Sequence, residues 1–179
     1  TKRTNAMSNQ SLINLTDFTE NKHLTQNLDS RDIDPIILEA QEFDVKPVMG
    51  SAFYYDMMNN VTDSKYVELL DGKVYTPNGL DSPIQFSGLK MVLKYYVYAR
   101  LLVVDGVKST NSGFVQKQLE NSERISGAQR TQMIAQTRSG AKAYEQELID
   151  FLNNYSDIYP LYDCGVRKNK GYGFRMKAI

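Results

Sequence analysis

Residues 126–154 constrain the fold more than any other stretch of the chain. Ser126-Gly127-Ala128-Gln129 has the form of a capping box, in which the side chains at either end satisfy free backbone N–H groups at a helix start. Behind it Ile134, Ala141, Tyr144, Leu148, Phe151, Leu152 and Tyr155 make one apolar stripe at helical spacing. Asn153-Asn154 ends the run, and Pro160 forbids any extension. This is the longest helix the sequence predicts, and a chain organised around it is mainly α.

Shorter helices precede it. Asp34-Pro35 reads as an N-cap followed by proline at the first helical position, and Ile36, Ile37, Ala40, Phe43 and Val45 then form one face up to Pro47, where the helix is expected to stop. Ser51 is expected to cap a second helix with Phe53, Tyr54, Met57, Met58 and Val61. Asp63 or Ser64 starts a third, with Tyr66, Val67, Leu69 and Leu70, which Asp71-Gly72 ends. Residues 72–88 mix β-formers with turn residues and read as a loop or short hairpin. A helix follows from Leu89 to about Val104, with Leu89, Val92, Leu93, Tyr96, Val97, Leu101 and Val104 close to one stripe. Residues 107–125 read as a polar loop whose apolar tip includes Phe114. The expected architecture is a small helical bundle with one long C-terminal helix, a hairpin or loop insertion at 72–88 and extended tails. Residues 31–160 would form the helical domain. Residues 1–30 would be an arm whose thin apolar thread (Leu12, Ile13, Leu15, Phe18, Leu24, Leu28) docks on its own domain or on a neighbour. Residues 161–179 would be a basic tail able to add one strand.

Charge and composition narrow the chemistry. Lys+Arg 21 against Asp+Glu 21 gives no net charge, whereas free-standing nucleic-acid binders usually carry a basic excess. Neutrality also leaves little long-range repulsion between copies, which suits assembly. The one cysteine, Cys164, leaves no internal disulfide framework, and with the one histidine, His23, it cannot make an intrachain structural zinc site. His23 sits in a polar stretch and reads as a solvated loop residue, not a catalytic base. No catalytic residue, metal ligand or cofactor site is expected. The most apolar run, Met91 to Val104, is broken by Lys94 and Arg100, and the basic start has no apolar region behind it. A soluble protein made in a cytoplasm, with no membrane partner, is the expectation.

Three motifs have a bland reading that outweighs the sharp one. Lys170-Gly171-Tyr172-Gly173-Phe174 opens like an RNA-recognition signature, but Arg175 and Lys177 stand where aliphatic and aromatic residues belong. Asp29-Ser30-Arg31-Asp32-Ile33-Asp34 lacks the glycine and terminal glutamate of a calcium loop and reads as helix capping. The carboxylates from Glu145 through Glu147 to Asp150 read as a solvated helix face. Tyrosine is the oddity: Tyr 12 with Trp 0. Adjacent tyrosines on a helix point about 100° apart, so the second ring of Tyr54-Tyr55 or Tyr95-Tyr96 is expected on another surface. Tyr54, Tyr55, Tyr95, Tyr98 and Phe114 are therefore candidate interface residues, together with Arg167, Lys168, Lys170, Tyr172, Phe174 and Arg175 of the tail.

Four ordered blocks carry a resemblance. They are Ile33-x-Pro35-Ile36-Ile37-x-x-Ala40-Gln41 leading to Gly50; Leu69-Leu70-Asp71-Gly72-x-x-Tyr75; Phe86-x-Gly88-Leu89-Lys90 leading to Tyr95-Tyr96-x-Tyr98-Ala99-Arg100; and Tyr144 to Leu152 leading to Tyr159-Pro160-Leu161-Tyr162. In order and spacing they resemble the head–tail connector (adaptor) proteins of tailed bacteriophages, with the flavour of phages of Bacteroides-type hosts, including the crAss-like group. The resemblance spans about residues 28 to 162. It implies a helical virion protein of the neck, assembled in the host cytoplasm, of which about twelve copies form a ring under the portal. The portal protein and other ring or tail proteins would be its partners, and DNA would pass through the lumen as cargo. The rival expectation is a nucleic-acid-binding accessory protein that uses Arg167, Lys168, Lys170, Arg175 and Lys177.

Overall fold

In a computed structural model of the chain, residues 10–19, 30–104, 107–110, 113–116 and 126–162 are described. In chain order they form α1 (Leu15–Thr19), α2 (Ser30–Ala40), a π-turn (Gln41–Val45), α3 (Lys46–Met49), α4 (Ser51–Asn59), α5 (Ser64–Asp71), β1 (Lys73–Tyr75), β2 (Ile84–Phe86), α6 (Leu89–Val104), β3 (Val107–Thr110), β4 (Gly113–Gln116) and α7 (Gly127–Asn154). The protein is mainly helical, with two antiparallel hairpins, β1–β2 and β3–β4.

The capping box forms as its residues dictate. Gln129 N–H donates to Ser126 Oγ at 3.2 Å, and Ser126 N–H donates to Gln129 Oε1 at 2.8 Å. Helix α7 then runs for 28 residues, about 42 Å at the usual rise. Phe86, just before α6, stacks on Phe151 near the end of α7, with ring centroids 4.2 Å apart. Tyr95 and Tyr96, in mid-α6, meet Tyr144 and Glu145. The two helices therefore run antiparallel, and α6 is the central one, touched also by α2 and α5. Its buried residues, Leu89, Val92, Leu93, Lys94, Tyr96, Val97, Ala99 and Leu102, are spread around the helix and do not keep to one stripe. Leu101 is only half-buried and Val104 is exposed, because α6 is covered from several sides along most of its length and from few at its end.

Tertiary contacts move several boundaries from where the sequence puts them. Asp34 is no N-cap: α2 is helical from Ser30, and Pro35 lies inside it. The extra turn carries Ile33 into the core beside Ile36, Ile37 and Ala40, which offsets the one backbone hydrogen bond that Pro35 cannot make. Pro47 does not stop the helix either. The backbone widens into a π-turn, in which Lys46 N–H reaches Gln41 O, and continues to Met49. The same turn carries Phe43 out of the predicted apolar face, leaving it 67% exposed, while Val45 is buried. Gly50, at φ 82°, then takes the N-cap of α4 in place of Ser51. Asp63 caps α5 with extended backbone and Gly72 closes it, as expected, though Val67 faces solvent.

Residues 72–88 resolve into the hairpin alternative, with Lys73 opposite Phe86 and Tyr75 opposite Ile84. Two glycines clamp its open end. A Cβ on Gly72 would run into the backbone of Phe86, Ser87 and Gly88, and one on Gly88 into Leu70, Asp71 and Gly72. Both sit at φ 85–86°, so the crossing needs glycine on steric and conformational grounds. Residues 107–110 and 113–116, expected in a loop, form a second hairpin with Thr110 opposite Gly113. The N-terminal arm docks on its own domain over residues 10–19: Ile13 is 2% exposed and Leu12 and Leu15 pack against the same core. Phe18, Leu24 and Leu28 of the arm's apolar thread, and the tail from residue 163, lie outside the described side chains.

The core's aromatic centre joins distant segments. Phe53 contacts Tyr66, Tyr159 and Tyr162, and Phe151 contacts Tyr75, Phe86, Tyr155 and Tyr159. Tyr159 O–H also donates to the Lys65 carbonyl at 2.7 Å, which pins the turn after α7 onto α5.

Candidate interaction surfaces

Every described tyrosine is buried or half-buried, so Tyr172 is the one tyrosine whose position is left undescribed. Of the paired rings, Tyr54 and Tyr96 turn into the core, and Tyr55 and Tyr95 are half-buried against it. Tyr54, proposed for an interface, is 2% exposed and belongs to the core. Its neighbour Tyr55 is half-buried: Lys46 Nζ donates to Tyr55 Oη at 2.6 Å and to Glu42 Oε2 at 2.6 Å, and lies 4.5 Å from the Tyr55 ring centroid. Those two hydrogen bonds hold the ammonium charged and raise the Lys46 pKa above the ordinary lysine range. Tyr95 is half-buried against Tyr144, 5.0 Å between centroids, and Tyr98 packs on the core's edge. Phe114 lies on β4, where only the backbone is described, and Arg167, Lys168, Lys170, Tyr172, Phe174 and Arg175 lie outside the described residues.

The carboxylates of α7 are not one solvated face. Glu145 is 7% exposed, accepts from Tyr96 O–H at 2.5 Å and pairs with Lys142 at 2.8 Å. Burial and that carboxylate together push the Tyr96 hydroxyl above the ordinary tyrosine range. Tyr66, whose hydroxyl donates to Asp56, and Tyr159 are raised in the same direction, burial being the first cause in each.

Among the described residues, large exposed apolar side chains fall elsewhere. Phe43 lies over the Arg100 guanidinium at 5.6 Å, and Arg100 pairs with Asp44 at 2.6 Å and with Glu39 at 3.2 Å. Val103 and Val104, one helical turn beyond Arg100 on the same side, are 50% and 46% exposed. Together they make a surface in which an aromatic, two valines and a paired arginine adjoin. On the first hairpin Val74, Leu80 and Ile84 are also exposed. Among the described residues no cluster of His, Cys, Asp and Glu is arranged to hold a metal, and no helix is long and apolar enough to cross a membrane. In sequence comparison, DUF6712, a family of unknown function, matches residues 45–171. No curated protein and no solved structure matches the chain.

Proposed function

The chain belongs to DUF6712, a family of unknown function, and we propose, on the resemblance of its sequence blocks, that it is a structural, non-enzymatic subunit of a phage neck. Copies of it form a ring between the portal and the tail, and DNA passes through the lumen. The observation that carries this reading is the ordered set of blocks that resemble head–tail connectors. Three of them supply aromatic residues of the core: Tyr75, Phe86, Phe151 and Tyr159. The first block supplies Ile33, Ile37 and Ala40, all fully buried, against α6. With these blocks turned into the core, the exposed Phe43, Val103 and Val104 at one site and Val74, Leu80 and Ile84 at the other remain for neighbours.

Co-expression with the portal protein of the same phage, followed by electron microscopy, tests the reading. A closed ring of this chain on the portal is the expected result. Portal particles that never carry it, while the chain remains a monomer, overturn the reading.

A further inference from the structure

We propose that the N-terminal segment is a latch that holds the π-turn in register and thereby sets how Phe43 and Arg100 are presented at the surface. The inference does not rest on the neck reading.

Gln41 links the two. It is the first residue of the π-turn and is 2% exposed. Its Oε1 accepts from Leu12 N–H at 2.7 Å, and its Nε2 donates to Gln10 O at 3.1 Å and to Tyr54 Oη at 3.3 Å. One side-chain amide thus offers the arm the donor and acceptor that a paired strand would offer. Ile13 enters the core directly after that pairing.

The other residues of the turn have separate tasks. Glu42 accepts from Lys46, Phe43 lies over Arg100, Asp44 pairs with Arg100, and Val45 is buried. A π-turn holds one more residue than an α-turn, which is about a 100° change in how the residues before it face those after it. Return to the α register would therefore swing Gln41 out of its place or take Phe43 and Asp44 away from Arg100. With the arm docked, Gln41 is satisfied inside and the widened turn persists. With the arm undocked, two of its three bonds vanish, and a buried amide left short of partners is costly. Rotation of Gln41 toward water relieves that cost, and the α register is what permits it. The turn is then a two-state element, biased at one end by the arm and read out at the other by the Phe43–Arg100 face. Pro47 has no N–H to donate in either register, but its ring would crowd Phe43 O in the α register, so it favours the widened turn as well and the arm adds to that bias.

Trans-hydrogen-bond NMR couplings identify the acceptor of Lys46 N–H. They are measured in the full chain, in the chain lacking residues 1–19, and in Leu12→Pro, which removes one N–H and keeps Ile13. The full chain should show coupling to the Gln41 carbonyl and both variants coupling to Glu42, with Arg100 Nε–H exchanging roughly 10-fold faster or more. Adding Gln41→Leu to the shortened chain should restore coupling to residue 41, because leucine has no reason to leave the interior. If the shortened chain fails to fold, Leu12→Pro carries the test. Lys46 coupled to Gln41 in every variant overturns the latch and leaves Pro47 as what holds the turn. A register change that leaves Arg100 exchange untouched overturns its link to the surface.

Discussion

The two halves of α7 share one backbone and differ in what holds them. From Ala141 onward the helix buries Ala141, Glu145, Leu148, Phe151 and Leu152. From Gly127 to Gly140 no residue is buried; Arg130, Met133, Ile134, Thr137 and Gly140 are half-buried and the rest exposed. Antiparallel packing gives the reason. Counting outward from the Tyr96–Glu145 contact, α6 ends about level with residue 137 of α7, so about ten residues of α7 extend past it. Gly140 marks the change, since a Cβ there would lie 2.8 Å from the Tyr95 ring. The lesson is that a long helix need not be uniformly stable. Its second half stands on tertiary burial, and its first depends much more on local devices such as the cap.

Substitutions break this contrast in order of size. Phe151→Ala removes a fully buried ring that contacts four other aromatics and should cost about 3–5 kcal/mol, seen as a large drop in the urea midpoint. A midpoint within about 1 kcal/mol of the parent would mean that α7's second half is not held by the core.

Tyr96→Phe removes the hydroxyl that Glu145 accepts from while Lys142 remains, and should cost roughly 1–3 kcal/mol. It should also blunt the loss of stability in alkali. Tyr66, Tyr96 and Tyr159 have hydroxyl pKa values raised in the folded chain. Their contribution is therefore fully present below the ordinary tyrosine value of about 10 and is lost as the pH rises through the higher folded values. Unfolding free energies measured across that range should fall less steeply in the variant; parallel curves would mean that Tyr96 does not report on the core.

Ser126→Ala gives the smallest effect. Loss of the capping box should cost about 1 kcal/mol locally, with faster amide exchange at Gln129 and Arg130 and little change in the global midpoint. A midpoint shift as large as that of Phe151→Ala would show that the two halves unfold as one unit.

Local chemistry was the part of the fold that could be read ahead of the structure. The Ser126–Gln129 box, the span Leu89–Val104, the Asp63 and Gly72 boundaries of α5 and the first hairpin all appear where their own residues place them. The candidate surface was much less legible. Helical period puts Phe43 on the apolar face, and the π-turn carries it off that period; adjacency puts one ring of Tyr54-Tyr55 on a surface, and only packing decides that Tyr54 is the one turned inward.

By itself, then, the sequence determined a mainly helical chain, its longest helix and most of its punctuation, because caps, glycines and apolar spacing act over three or four residues. Only the tertiary structure decided which way each face turns. Ile33 pulled α2 upstream past Pro35, Gln41 was drawn inward to meet the arm, and Glu145 was buried beneath the Tyr96 hydroxyl. The hydrogen-bond partners lie far away in sequence, 29 residues from Gln41 to Leu12 and 49 from Glu145 to Tyr96, and no local rule sees that far. The same holds for the surface: Phe43 reaches solvent because a backbone turn, not a side-chain preference, carries it there.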